Sequence, residues 1–119
     1  MMENAARKTC GPCKHGAPPA SELEIKQFQK EHPDWELVEE DSIKKIKRVF
    51  KFSNYRKAQH FTNQVADMAE FEDHHPAIVL EWGRATVSWW THKIGGIHRN
   101  DLVMASETDG KYSNKNPED

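Results

Sequence analysis

From Ser21 onward, apolar residues recur alternately at helical and at strand spacing, and the switches between the two periods divide the chain into seven elements. Ser21, followed three residues later by Glu24, is a capping box, and Leu23, Ile25 and Phe28 give a short helix that ends before His32-Pro33. Trp35-Glu36-Leu37-Val38 and then Ile43 to Phe52 read as strands around the acidic turn Glu39-Glu40-Asp41-Ser42, since Ile46, Arg48, Phe50 and Phe52 alternate with Lys45, Lys47, Val49 and Lys51. Ser53 or Asn54 can cap the main helix, in which Ala58, Phe61, Val65, Met68 and Ala69 form a stripe suited to lie on a sheet. That helix must stop before Pro76, whose ring disfavours the α conformation at His75. Ile78, Leu80 and Trp82 alternate in a third strand, and Gly83-Arg84 turns the chain. Ala85, Val87, Trp89 and Thr91 then alternate with Thr86, Ser88, Trp90 and His92 in a fourth strand, which His92 closes. After Gly95-Gly96, Arg99 to about Thr108 predicts a last helix with Leu102 and Ala105 inward.

The order helix, strand, strand, helix, strand, strand, helix, with short hairpins, implies an α+β fold of two layers: a four-stranded antiparallel sheet with the helices packed on one face. Residues 1–20 and 109–119 lack apolar periodicity and are expected to be disordered tails, which leaves a single domain over residues 21–108.

Composition narrows the function. Lys and Arg number 17 against 19 Asp and Glu, a formal charge of -2, which gives no overall attraction to nucleic acid or to an anionic membrane. The alternate lysines of the second strand read as a solvated face or an edge guard. No apolar run approaches the roughly 18 residues needed to span a bilayer, and residues 1–8 lack the apolar stretch of a signal peptide. A cytoplasmic protein with a small-molecule or protein partner is expected. Cys10 and Cys13 match a Cys-Gly-Pro-Cys redox motif or half a zinc site. Only polar residues precede them and Gly16-Ala17-Pro18-Pro19 follows, so thiols in a flexible tail are the expectation.

The candidate chemistry lies in His74, His75 and His92 with Glu70 and Asp101. The main helix ends where the third strand starts and the fourth strand returns antiparallel to it, so His92 comes back to the level of His74 and His75. Asp101 falls in the first turn of the last helix, where free N–H groups and the macrodipole favour a carboxylate. Imidazole exchanges protons near neutral pH. Neighbours in an extended chain point to opposite sides, so His74 and His75 would chelate one ion poorly, and proton transfer is favoured over a metal-dependent hydrolase. Taken singly, each histidine reads better as a solvated residue at the end of an element; it is their joint spacing that favours a site.

The run Glu70-x-x-x-His74-His75-Pro76, then Trp82, His92 and Asp101, resembles the signature of the pterin-4a-carbinolamine dehydratases over about residues 21–108. Glu81-Trp82-Gly83, Trp89-Trp90-Thr91-His92 and Gly96-Ile97-His98-Arg99-Asn100-Asp101 are similar to the bacterial branch, in which the enzyme accompanies phenylalanine hydroxylase. Trp90 departs from the small hydroxyl residue of mammalian members. The resemblance implies dehydration of a pterin carbinolamine without metal or cofactor, with His74 and His92 as general acids and His75 as pterin-binding base. It implies that Asp101 and Glu70 orient the imidazoles, and that His75, Glu70, Thr91 and Trp82 contact substrate. It further implies a homodimer that extends its sheet, some members being tetramers, and the long lysine-studded second strand fits such an edge. Mammalian members double as dimerisation cofactors of a homeodomain transcription factor, so a non-enzymatic dimerisation or regulatory protein is the alternative.

Overall fold

The computed structural model describes residues 19–113. Cys10, Cys13 and the outer parts of both expected tails lie outside the described residues. Among the described residues the elements are α1 (Glu22–Glu31), β1 (Glu36–Glu40), β2 (Ile43–Lys51), α2 (Tyr55–Glu72), β3 (Ala77–Glu81), β4 (Arg84–Trp89), a 3-10 turn (His92–Ile94) and α3 (Arg99–Ser113). The fold is the two-layer α+β arrangement read from the periodicity.

Local chemistry sets most boundaries. Ser21 Oγ accepts from the Glu24 N–H at 3.1 Å while Glu24 Oε1 accepts from the Ser21 N–H at 2.9 Å, a complete capping box. Asn54 caps α2 by accepting from the Lys57 N–H at 2.9 Å. Asp73 closes α2 in the left-handed conformation, and its N–H returns to the helix carbonyls. The β1–β2 turn is tighter than the four-residue acidic turn expected. Asp41 and Ser42 alone turn the chain, at φ 54° and 66°, so Glu39 and Glu40 stay in β1 opposite Lys44 and Ile43.

The strands lie in the order β1-β2-β4-β3, all antiparallel. β2 is therefore interior, paired on both flanks, and the expectation that its lysine-bearing side is a free edge is overturned. Its lysines guard the uncovered face. Lys45, Lys47, Val49 and Lys51 project there because they alternate with Ile46, Arg48 and Phe50 on the helix side. The free edges are β1 and β3.

The core joins Ile46, Phe50, Val87 and Trp89 of the sheet to Phe61 and Val65 of α2 and Met104 and Ala105 of α3. Burying each large apolar side chain contributes about 1.5–3 kcal/mol. Further boundaries differ from the sequence reading: the β3–β4 turn is Trp82-Gly83 rather than Gly83-Arg84, so Trp82 lies outside β3 and Arg84 opens β4. β4 ends at Trp89, and Thr91 makes only an isolated bridge to Gly96 before the 3-10 turn at His92. α3 runs five residues beyond Thr108 to Ser113, so residues 109–113, expected in the C-terminal tail, are helical. Tertiary contacts account for it. Asp109 accepts from Trp35 Nε1 at 3.0 Å and Arg48 Nη1 at 2.8 Å, and Tyr112 packs edge-on to Phe50 with its hydroxyl donating to the Lys51 carbonyl at 3.1 Å. These contacts hold a last turn that Gly110 and the polar composition would not sustain alone.

Candidate active site

The end of α2, the start of β3, the stretch beyond β4 and the start of α3 meet at one end of the sheet. Pro76 forces the chain to extend after the left-handed Asp73, so His74 and His75 leave the helix in opposite directions. His74 turns inward and is 5% exposed, whereas His75 remains in solvent. The His74 ring lies parallel to the buried Trp89 indole, with centroids 5.7 Å apart and planes inclined by 4°.

Asp101 is the hub. It is fully buried, and three donors reach its carboxylate: His74 Nε2 at 2.6 Å on Oδ1, and Thr91 Oγ1 at 2.7 Å and the His98 N–H at 2.8 Å on Oδ2. A carboxylate has no proton to give here, so the His74 Nε2–H donates. Position three of α3 is where a carboxylate can reach back to the N–H of the capping residue, and this placement also aims it at α2's exit.

The capping residue is His98, which the sequence reading did not single out. Its Nδ1 accepts the Asn100 N–H at 3.1 Å, so its ring replaces the hydroxyl or amide that usually caps a helix. Nδ1 can accept only while the ring is unprotonated. Burial pushes the His98 imidazole below its ordinary range, with nearby Arg99 and His74 acting in the same direction and Asp101 and Glu24 opposing. The available signal was a polar residue three places before Asp101 at the start of a helix, but histidine is an uncommon cap.

The remaining site residues join this hub to different degrees. His75 Nε2 lies 2.9 Å from Glu70 Oε1 in solvent. His92 does not end a strand; it begins the 3-10 turn, exposed, with its ring stacked on Trp90 at 4.5 Å. Thr91, expected to contact substrate, is 2% exposed and gives its hydroxyl hydrogen to Asp101. Trp82 stands apart. It follows β3 at the end remote from His74, about 17 Å of strand away at ~3.3 Å per residue, and is 72% exposed in the β3–β4 turn. Within one chain it cannot wall this site.

Chemically, the arrangement offers two solvent-reaching imidazoles and one buried imidazole held by a carboxylate, a set suited to moving protons. Among the described residues, no three His, Cys, Asp or Glu side chains converge as metal ligands. No helix of the described residues is long and apolar enough to cross a membrane.

Comparison with known proteins gives a consistent picture. A family model described as pterin 4 alpha carbinolamine dehydratase matches residues 18–111. A Marinobacter nauticus protein with the provisional name pterin-4-alpha-carbinolamine dehydratase is 50% identical over 111 residues, covering 93% of this chain and 100% of the relative. A Syntrophotalea carbinolica protein of the same provisional name is 49% identical over 108 residues, covering 91% of this chain and 96% of the relative. The crystal structure of a transcriptional coactivator/pterin dehydratase from Brucella melitensis superposes with a TM-score of 0.72 at 29% identity, over 80% of this chain and 99% of that one.

Proposed function

The chain belongs to the pterin 4 alpha carbinolamine dehydratase family, and we propose that it removes water from 4a-hydroxytetrahydropterin by histidine acid/base catalysis. The class of reaction is that of a hydro-lyase. The C4a–O bond breaks as an acid protonates the hydroxyl, the N5–H proton passes to a base, and a C4a=N5 double bond forms, giving quinonoid dihydropterin and water. Each positioned acid or base contributes about 10²–10⁴-fold to such a step.

The observation that carries this reading is the buried His74–Asp101 pair at 2.6 Å, an imidazole held by a carboxylate within the stretch that the family model matches. Asp101 accepts from Nε2 and so fixes the His74 ring plane and balances the charge of the doubly protonated ring, the form that has an Nδ1 proton to give. His74 and His92 are assigned as acids for the two faces of the hydroxyl. His75, exposed beside Glu70, is assigned to hold the pterin and receive the N5 proton, with Glu70 as its orienting partner. Thr91 supports Asp101. The pterin would be that of aromatic amino acid hydroxylation, with phenylalanine hydroxylase as the functional neighbour, in the cytoplasm.

The test generates 4a-hydroxytetrahydropterin in situ and follows quinonoid dihydropterin formation with untreated and metal-stripped protein. Equal acceleration by both supports the reading. No acceleration over buffer overturns it, and activity that depends on restored zinc overturns the acid/base route.

A further inference from the structure

Each imidazole of the site has its own support. His74 has Asp101 and His75 has Glu70, both through ring nitrogens. His92 has neither. Among the described residues no hydrogen bond or ion pair reaches its ring, and its described ring contact is a face-to-face stack on Trp90, centroids 4.5 Å apart and planes inclined by 22°.

We propose that Trp90 is the positioning residue of His92, orienting the imidazole through its face so that both ring nitrogens are left to the reaction. This rests on the dehydratase reading of the site.

The backbone explains why an indole is needed. β4 alternates, so Trp89 faces the helix layer and Trp90 the uncovered face of the sheet. The two consecutive tryptophans thus back two different histidines, Trp89 behind His74 and Trp90 beside His92. His92 opens a 3-10 turn of three residues that Gly95 closes at φ 62°, pinched at its base by the Thr91–Gly96 bridge. So short a turn, with an exposed first residue, fixes the Cα of His92 and leaves its side-chain torsions free. A flat partner of large area restrains the ring plane without occupying a nitrogen, which a carboxylate would do.

Trp90 is itself held. Lys45 Nζ lies 4.2 Å from the centre of the indole, and Glu40 Oε1 accepts from that ammonium at 3.3 Å. A line of side chains therefore runs across the uncovered face from Glu40 through Lys45 and Trp90 to His92. The lysines of β2 that read as a solvated face include one that braces this support.

The experiment is a double-mutant cycle of Trp90→Ala and His92→Ala, with Trp90→Phe as the conservative variant, read by dehydration kinetics and by the His92 ring-proton shifts in NMR spectra. Misplacing a reacting group without removing it costs about ten-fold to a hundred-fold in rate. Trp90→Ala is expected to lower kcat by that amount with KM changed less than about two-fold, and to release the His92 ring protons from the indole ring-current shift. Trp90→Phe restores most of kcat. In the His92→Ala background, Trp90→Ala has little further effect, because the two residues act as a unit. Equal kcat losses in both backgrounds, a rise in KM alone, or unmoved His92 resonances would each overturn the assignment. The NMR shift is read without turnover, so a parent protein that accelerates nothing identifies failure of the dehydratase reading, while unmoved resonances identify failure of the stack.

Discussion

His74 Nε2 and Asp101 Oδ1, 27 positions apart in sequence, lie 2.6 Å apart in the buried end of the sheet. The bond joins the exit of α2 to the first turn of α3, so one carboxylate serves both helix capping and imidazole orientation. Three donors depend on it, from His74, Thr91 and the His98 backbone. A change here should therefore be felt in stability and in rate together.

Asp101→Asn keeps the shape and substitutes a weaker acceptor whose NH2 group cannot accept at all. Turnover is expected to fall by about 10²-fold, and stability by about 1–3 kcal/mol for donors left without a good partner. Steady-state dehydration and urea unfolding measure the two. Full turnover with only reduced stability would reduce Asp101 to a structural cap.

His74→Ala and His75→Ala should both lose about 10²-fold or more in turnover but part company in stability. Sequence logic treats both as residues at a helix-to-strand exit that add little to the core. The structure divides them, because His74 is 5% exposed and packed on Trp89 whereas the His75 side chain is 53% exposed. His74→Ala is expected to cost about 2–3 kcal/mol, and His75→Ala to remain within about 0.5 kcal/mol of the parent. Denaturant midpoints decide it, and equal destabilisation would show that His75 also packs.

That division marks where sequence legibility ends. Helices and hairpins were readable because burial enforces periods of 3.6 and 2, and because Ser21, Asn54 and Pro76 act on their immediate neighbours. Strand order was not, since alternate lysines on β2 suit an edge strand and an interior strand with one open face equally well. The end of α3 was missed for a different reason: Asp109 and Tyr112 hold the last turn through partners 61 or more positions away in sequence. In the site, residue types and spacing marked out His74 and Asp101. His98 carries no cap signal in the sequence because histidine seldom caps a helix, and the inward turn of Thr91 shows only in the fold, where its hydroxyl reaches Asp101.

His98 gives the pH prediction. Its folded pKa is depressed below the ordinary histidine value of about 6.5, so the unfolded chain binds more protons once the pH falls through that value. Stability contributed by neutral His98 is present above about pH 6.5 and is lost as the pH drops toward the folded pKa. His98→Asn, which can cap without titrating in this range, should lose less stability between pH 7.5 and 5.5 than the parent. Parallel stability curves for the two proteins would remove His98 as the source of acid sensitivity.

Asp109 tests the far side of the domain, where His32, Trp35 and Arg48 all reach its carboxylate. Asp109→Ala should destabilise by about 3 kcal/mol, because Trp35 Nε1 loses its acceptor and the mostly buried Arg48 keeps only the longer pair with Asp34 at 3.4 Å. Below its lowered melting point the rate should change less than about two-fold, since this network lies away from His74. Loss of rate with no loss of stability would show coupling between the two ends of α3.

Assembly follows from the two free edges. β1 carries Glu36, Glu39 and Glu40, and pairing two copies antiparallel along it would set carboxylates near one another. β3 reads Ala77-Ile78-Val79-Leu80-Glu81, with Val79 55% exposed at its centre, so a two-fold axis through this edge would place Val79 near its counterpart and continue the sheet across both copies. The expected species is a dimer by sedimentation at micromolar concentration, little affected by salt. Val79→Lys sets like charges at the axis and should give a monomer with an unchanged circular dichroism spectrum, whereas Val38→Lys at the centre of β1 should remain dimeric. A dimer that survives Val79→Lys but is lost in Val38→Lys would move the interface to β1. A monomeric parent would remove sheet extension altogether. A stable tetramer would require the outward side of α2, with Arg56, Asn63 and Asp67 exposed along it, to pack despite its polarity.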